Sequence, residues 1–479
     1  MKHLFTIKNL KPVAFVLMFM AGTAAQAQEV ISLERAVQLT LERNLTIKQS
    51  QLNEALSNED YKQSKYNMLP NLNAAPQLSE NFGRNIDPST NLFINQKILA
   101  LSGNLTAQVV LFQGGQLRNQ IVQNRLTLES NRTATAKVKN DLILNVVTDY
   151  LQILTNQDLL TAAKQQLDIS NLTLERAQKS FNAGNQTLAD LSQAKAGVST
   201  ADYNITTAQN QLDLSILVLK QYMEMNPATD ITIVRPDISK LNEISTVYNA
   251  QDVLKTALSV NPDVLLAEVK EKNASQAIKV ARGAYYPSIV LFGLAGSNFS
   301  DARLQYTTSR SPTLDTIGFV VGTNQRVVTP GVVQSSGKYP FFRQLSDNFN
   351  QAVGVSMQIP IFTRFANRTA VRKAKINYEY ASVSTQLAKT NLSKIIYQAV
   401  WDVQAANKKY LSAMQTYQAN KDAYNTIQQR YNVGLVNSLD YNTSLTNYNK
   451  AQNDMIQAKY EVIFRSKVID YYLGNPITL

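Results

Sequence analysis

The feature that most restricts the fold is a repeat inside the chain. Phe181-Asn182-Ala183-Gly184 is followed by Leu188-Ala189-Asp190, and Tyr431-Asn432-Val433-Gly434 by Ser438-Leu439-Asp440. Both read aromatic-Asn-x-Gly, then an Asp at the sixth position after the Gly, and numbering carries one onto the other at an offset of 250. The same offset pairs Leu111-Phe112 with Ile361-Phe362 and Arg118 with Arg368. Upstream the offset is 217: Asn44 pairs with Asn261, and Leu69-Pro70-Asn71-Leu72 with Tyr286-Pro287-Ser288-Ile289. A single insertion between Ser297 and Asn350, as long as the difference between the two offsets, reconciles them. The chain reads as two copies of one unit, roughly 28–248 and 249–479.

Each copy carries a heptad beat. Ile153, Leu160, Leu167, Leu174 and Phe181 correspond to Val403, Tyr410, Tyr417, Tyr424 and Tyr431. Beyond the Gly, Leu191, Val198, Ile205, Leu212 and Leu219 correspond to Tyr441, Tyr448, Met455, Val462 and Ile469. A strict heptad on an α-helix drifts by about 20° per repeat, so such helices pack side by side only with a left-handed supercoil. Ala163, Ser170, Ala177, Ala406 and Ala413 keep the seam narrow. Each copy is predicted to hold an antiparallel helical hairpin reversing near Gly184 or Gly434, where Gly suits a helix end. Thr187 and Ser438 are the expected N-caps of the returning helices. The ascending helix, from about residue 116 to 181, would span about 100 Å, which suits a spacer better than a catalytic core. An ordinary amphipathic bundle is the alternative reading of the beat.

Residues 1–27 read as a secretory signal: Lys2, Lys8 and Lys11, an apolar run from Val13 to Met20, then Ala25-Gln26-Ala27. An N-terminal anchor is the other reading. Cysteine is absent and the one histidine is His3, so a mature chain lacks thiolate nucleophiles, Cys/His zinc sites, a Ser–His–Asp triad and disulfides. No metal or cofactor is expected, nor is an enzyme. Without the signal the chain carries 44 Lys+Arg against 35 Asp+Glu, a balance of +9. These charges are scattered rather than gathered into a stripe, and an exported chain meets little nucleic acid, so none is expected as a partner.

No segment of the mature chain has an apolar run of the roughly 18 residues a spanning helix needs, so membrane entry would have to be as β-structure. Residues 288–299 open at a Pro and alternate; Val353, Val355, Met357, Ile359 and Ile361 alternate with Ala352, Gly354, Ser356 and Gln358. Leu105, Ala107, Val109 and Leu111 alternate with Thr106, Gln108 and Val110. Residues 71–82 match less well because Pro76 interrupts them, at an edge or a bulge. Two strands per copy make four per chain, whereas single-chain barrels begin at eight. Open sheet edges in lipid would leave backbone groups unsatisfied. Strands in a bilayer therefore imply an oligomer sharing one barrel; a small sheet in water covered by helices is the alternative. Residues 83–103 and 300–349 are expected as long loops on the extracellular side, with the helices in the periplasm.

On these residues the chain resembles the TolC family of outer-membrane efflux channels over essentially its whole mature length. The matching features are the tandem strand-and-helix repeat, Leu111-Phe112-Gln113-Gly114-Gly115 at the strand-to-helix junction, and Arg430-Tyr431-Asn432-Val433-Gly434-Leu435 at the helical reversal followed by Asp440. Phe362-Thr363-Arg364-Phe365 departs from the Phe-x-Gly-Gly pattern. The resemblance implies an α+β membrane protein: a homotrimer whose chains each give four strands to a shared twelve-stranded barrel in the outer membrane of a Gram-negative bacterium. A periplasmic α-helical barrel would continue it, closed at its inner end by the hairpins. It implies service as the passive exit duct of a tripartite efflux or type I secretion system. The partners would be a periplasmic adaptor and, through it, an inner-membrane pump of the RND or ABC type. Gly184, Val433, Gly434 and Leu435 would contact the adaptor.

Asp440 matches the first of two aspartates that ring the family's constriction, and Thr443 stands at the second, so the ring carries at most half the charge. Asp190 holds the place of Asp440 in the first copy and is expected at the same constriction. For Asp440 a helix-start role is the structural alternative. The basic run Arg364, Arg368, Arg372, Lys373 and Lys375 is either a lipid-phosphate contact or a solvated helix face. A non-conducting coiled-coil envelope protein is the competing function, though it has no use for four alternating segments.

Overall fold

The computed structural model describes residues 29–87, 91–95, 97–235 and 247–475, so the expected signal segment lies outside the described residues. The first half runs β1 (Glu29–Ile31), α1 (Leu33–Arg43), α2 (Leu45–Tyr66), β2 (Asn71–Asn81), β3 (Arg84–Ile86), β4 (Phe93–Asn95), β5 (Ile98–Gln113), α3 (Gln116–Asn182), α4 (Leu188–Tyr222) and β6 (Ile231–Ile233). The second runs α5 (Ala250–Val260), α6 (Pro262–Gly283), β7 (Ser288–Ser300), β8 (Leu304–Phe319), β9 (Arg326–Lys338), α7 (Phe341–Asp347), β10 (Asn350–Gln358), α8 (Ala366–Asn432) and α9 (Ser438–Leu473). No helix among the described residues is long and apolar enough to cross a membrane. The chain forms two compact units that each draw on both halves.

One unit, residues 56–128 and 270–382, holds the sheet. Its four strands are antiparallel in the order β10-β7-β5-β2, so β2 and β10 are the free edges. Pro76 sits within edge strand β2 opposite Gly103, with no bulge, as suits a residue that cannot donate to a ladder. Side chains of paired residues share a face. Leu72, Ala74 and Leu78 therefore lie beside Ala107, Leu105 and Leu101, and these beside Gly293, Ala295 and Phe299. Val353 and Val355 complete that face opposite Gly293 and Leu291. The other face carries Asn71, Asn73, Gln77, Thr106, Gln108 and Ser356, together with Val290, Phe292 and Leu294 of β7, Phe292 being laid over Gly354. One apolar face and one largely polar face is the pattern of a sheet with lipid on one side and water on the other. Val353 is 83% exposed and Leu72 and Leu78 66% each, so nothing among the described residues covers the apolar face there.

Two sequence boundaries move. β5 begins at Ile98, so residues expected in the first loop extend the strand; alternation across 99–103 is blurred by Ser102 and Gly103. The second expected loop is largely folded: β8 and β9 pair as a hairpin occupying most of the insertion. Its base is fastened to β7. Gln344 of α7 is fully buried, accepting from the Ser300 N–H at 3.1 Å and donating to the Ser300 carbonyl at 2.9 Å. Arg303 donates to Asn348 at 2.7 Å.

At the strand-to-helix junction Gly114 and Gly115 have φ of 57° and 70°, and their counterparts in the second copy, Arg364 and Phe365, have 52° and 60°. The backbone is repeated although the glycines are not, at a cost of roughly 1–2 kcal/mol per residue in the left-handed region.

The other unit gathers residues up to Ala55, Glu129–Val269 and those from Val383 on. Its first core packs α1, α3, α4 and α9 around β1 and β6, with Leu39, Ile153, Leu154 and Leu219 fully buried. Each such side chain contributes roughly 1.5–3 kcal/mol by burial. Tyr150, in the same core, donates to the Val234 carbonyl at 2.5 Å. A second core joins α5, α6, α8 and α9 through Val253, Val264, Ile396, Val403 and Ile469. All five heptad positions on each of α3, α4, α8 and α9 are buried or half-buried, which is the seam the beat predicts.

Candidate functional site

The hairpin reversals carry the candidate residues. α3 ends with Gly184 at φ 74°, its N–H donating to the Phe181 carbonyl at 2.9 Å, while Asn185 N–H reaches Ser180 O at 2.9 Å. α8 ends the same way: Gly434 at φ 77°, its N–H on Tyr431 O at 3.1 Å, and Leu435 N–H on Arg430 O at 2.9 Å. These bonds close the helix ends and require the left-handed glycine. Neither Gly184 nor Gly434 has an atom within 4 Å of where a Cβ would sit. Val433 and Leu435 are 70% and 69% exposed, leaving an apolar point on the second reversal.

The returning helices start differently from one another. Thr187 caps α4 as expected, in a capping box: the Asp190 N–H donates to Thr187 Oγ1 at 3.2 Å, and the Thr187 N–H to Asp190 Oδ2 at 3.1 Å. The cap of α9 is Asn437, not Ser438: Asn437 Oδ1 accepts from the Asp440 N–H at 2.8 Å. The offset of 250 places Asn437, not Ser438, in register with Thr187. Being the first helical residue frees the Ser438 hydroxyl, which donates to Asp190 Oδ1 at 2.5 Å.

The two aspartates thus differ. Hydrogen bonds from Ser438 first and Thr187 second hold the Asp190 carboxyl below the usual carboxylate range. Asp440 is exposed, and among the described residues its carboxylate has no hydrogen-bond or ion-pair partner. Thr443 is exposed and its hydroxyl donates to Leu439 O at 2.9 Å, so it brings no charge.

Three more bonds join the hairpins. Arg176 donates to Asn432 Oδ1 at 2.5 Å, Gln186 to the Tyr431 hydroxyl at 3.1 Å, and the Thr173 and Tyr441 hydroxyls lie 3.1 Å apart. Behind them the second hairpin holds a column of rings: Tyr417 on Tyr448, Tyr448 on Tyr424 at 5.3 Å and 7°, Tyr424 on Tyr441, and Tyr441 on Tyr431 at 4.6 Å and 14°. The first hairpin has Leu167, Val198, Leu174, Leu191 and Phe181 at the matching places. The beat marked these tyrosines as packing residues, which they are, but their stacking and their hydroxyl bonds across hairpins were invisible to it. Burial pushes the Tyr424 hydroxyl well above its ordinary pKa, so it stays protonated and can donate.

A groove of about 570 Å³ opens beside α4 and α9, lined by Gln166, Thr173, Asn204, Asn442, Asn449 and Asn453 among others. Its amides and hydroxyls offer weak polar contacts without a fixed charge pattern. Of the basic run, Arg364, Arg368, Arg372, Lys373 and Lys375, no member has an ion-pair partner among the described residues. No group of three or more His, Cys, Asp or Glu able to hold a metal occurs among the described residues.

Comparison with known proteins places this geometry. The Outer membrane protein TolC of Escherichia coli (strain K12) is 23% identical over 337 residues, covering 70% of this chain and 61% of that protein. The chain therefore spans less than two thirds of that relative's length. The outer membrane efflux protein BepC of Brucella suis is 20% identical over 467 residues, covering 96% and 89%. The crystal structure of the outer membrane protein VceC from Vibrio cholerae superposes with a TM-score of 0.72 at 15% identity, covering 93% of this chain and 97% of that one, which establishes the shared fold. The profile of the outer membrane efflux protein family matches residues 36–223 and 253–475, taking in both hairpins with their capped reversals, and the chain belongs to that family.

Proposed function

We propose that this protein is the outer-membrane exit duct of a tripartite export system, a passive conduit closed at its helical reversals. One observation carries the reading: a four-stranded sheet, apolar on one face and largely polar on the other, with two free edges. In lipid such edges must be paired, and three copies supply twelve strands. A non-conducting spacer would leave that face without a purpose.

In this reading the strands lie in the outer membrane of a Gram-negative cell and the long hairpins in its periplasm. Asp440 and Thr443 line the constriction, with one carboxylate per protomer drawing cations to the axis. Asp190 acts through Ser438, tying the second hairpin to the first in the closed state. Gly184, Val433, Gly434 and Leu435 form the point met by a periplasmic adaptor, which links the duct to an inner-membrane pump of the RND or ABC type. The division at residues 28–248 and 249–479 is the duplication from which the duct is built. Transport energy comes from the pump.

Detergent-solubilised protein is expected to run as a trimer and to conduct ions across planar bilayers. Asp440→Asn should reduce cation selectivity and block by multivalent cations. A stable monomer in plain buffer, or a trimer that does not conduct, overturns the reading.

A further inference from the structure

The registers of the sheet obey the sequence offsets. Within the first half Asn71 pairs with Gln108. Moving Asn71 by 217 and Gln108 by 250 gives Ser288 and Gln358, which are paired in the second half. The same shift carries Leu78 with Leu101 onto Ala295 with Gln351, also paired. The two hairpins of the sheet are therefore superimposable pair by pair, and β5–β7 is the junction between one copy and the next.

We propose that the missing junction, β10 against β2 of a second copy of this chain, repeats the β5–β7 register, which fixes its pairs. The proposal rests on the shared-barrel reading and deepens it. Leu105 pairs with Ala295 and Asn104 with Gly296. Shifted by the same offsets, Val355 pairs with Leu78 of the partner subunit, and Gly354 with Ser79 of the partner subunit. Met357 then faces Pro76 of the partner subunit, and Val353 faces Glu80 of the partner subunit.

Three observations support this register. First, it puts Val355 and Met357 beside the apolar face of β2, continuing the apolar face across the joint; a slip by one position would set Val355 against Gln77 or Ser79. Second, the residues it covers are those left bare: Val355 is 62%, Met357 57% and Leu78 66% exposed. Third, it accounts for Arg364 and Phe365. Inside the chain Gly114 meets the end of α6 so closely that a Cβ would lie 2.2 Å from Gly283 O. At the joint between copies the same positions are Arg364 and Tyr66 of the partner subunit, so that seam must be wider. It is filled by side chains, with the guanidinium able to lie on the ring. Phe365 and Tyr66 are 61% and 56% exposed in the single chain.

The chain has no cysteine, so introduced pairs report without background. Residues 355 and 78 of one chain sit on opposite edges, three strand spacings apart across the sheet and, through the Leu291–Val109 and Leu101 pairings, eight residues apart along it, roughly 30 Å in all and beyond the reach of a disulfide. Val355→Cys with Leu78→Cys, and separately Gly354→Cys with Ser79→Cys, are oxidised in membranes and run on non-reducing gels. At least one in-register pair is expected to give a covalent trimer, while Val355→Cys with Glu80→Cys, displaced by two positions, gives none. Size-exclusion chromatography of the reduced samples establishes the trimer independently. A trimer that cross-links only through the displaced pair overturns the register while sparing the shared barrel; absence of any trimer overturns both. Arg364→Gly suits the backbone yet is expected to lower the temperature at which the trimer dissociates in SDS. An unchanged or raised temperature overturns the seam contact.

Discussion

The strand-to-helix turn offers the sharpest test of the fold. Gly114 has φ of 57°, and a Cβ built on it falls 2.2 Å from Gly283 O and 2.8 Å from Tyr286 Cβ. Gly114→Ala therefore incurs two costs. Holding alanine in the left-handed region costs roughly 1–2 kcal/mol, and pushing back the end of α6 costs roughly 1–3 kcal/mol as overpacking. Gly115 is the internal control: φ is 70°, but the nearest atom to its Cβ is Asn119 Nδ2 at 3.6 Å, an ordinary contact. Gly115→Ala should show the backbone cost alone, as should Gly434→Ala, with nothing within 4 Å. Urea unfolding of the detergent-solubilised protein, followed by circular dichroism, should rank Gly114→Ala below both by about 1–3 kcal/mol. If Gly114→Ala is no less stable than Gly115→Ala, the close approach to α6 is not what holds this turn.

Other outcomes follow from the helical unit. Burial raises the Asp149 carboxyl to about 6, against roughly 3.9 in an unfolded chain, so between those values the folded state binds the extra proton. Stability from this group is highest at the acid end of that window, falls as pH rises through it and is flat above; Asp149→Asn should abolish the slope and add about 1 kcal/mol at neutral pH, after discounting for partial exposure. Tyr441→Phe removes the hydroxyl shared with Thr173 and Tyr424 and should cost about 1–2 kcal/mol. A Thr173→Ala double-mutant cycle should show coupling, and strict additivity would deny the bond. Arg176→Ala with Ser438→Ala cuts two links between the hairpins and should raise single-channel conductance; unchanged conductance would mean the links do not restrain the closed state.

Much of this architecture was legible in the residues because it rests on local periodicity. A heptad beat marks a supercoiled seam wherever it occurs, and all of its positions on α3, α4, α8 and α9 are buried or half-buried. Alternation located β7 and β10, and aromatic-Asn-x-Gly located both reversals. The Ser438 cap failed because Asn and Ser cap almost equally well, and local preference does not choose between neighbours. The insertion, rich in Ser, Thr, Asn and Gly, carries no alternation that marks a strand, because a two-stranded ribbon open on both faces needs none.

By itself, then, the amino-acid order pointed to the two glycine reversals, the span of the ascending helix and the alternating strands, since each follows from spacing along the chain. Tertiary structure alone decided which Asp is committed and which is bare, that Arg364 and Phe365 keep a glycine backbone, and which strands stand next to one another. Those outcomes depend on groups far apart in the chain meeting in space, where geometry rather than local preference selects the partner.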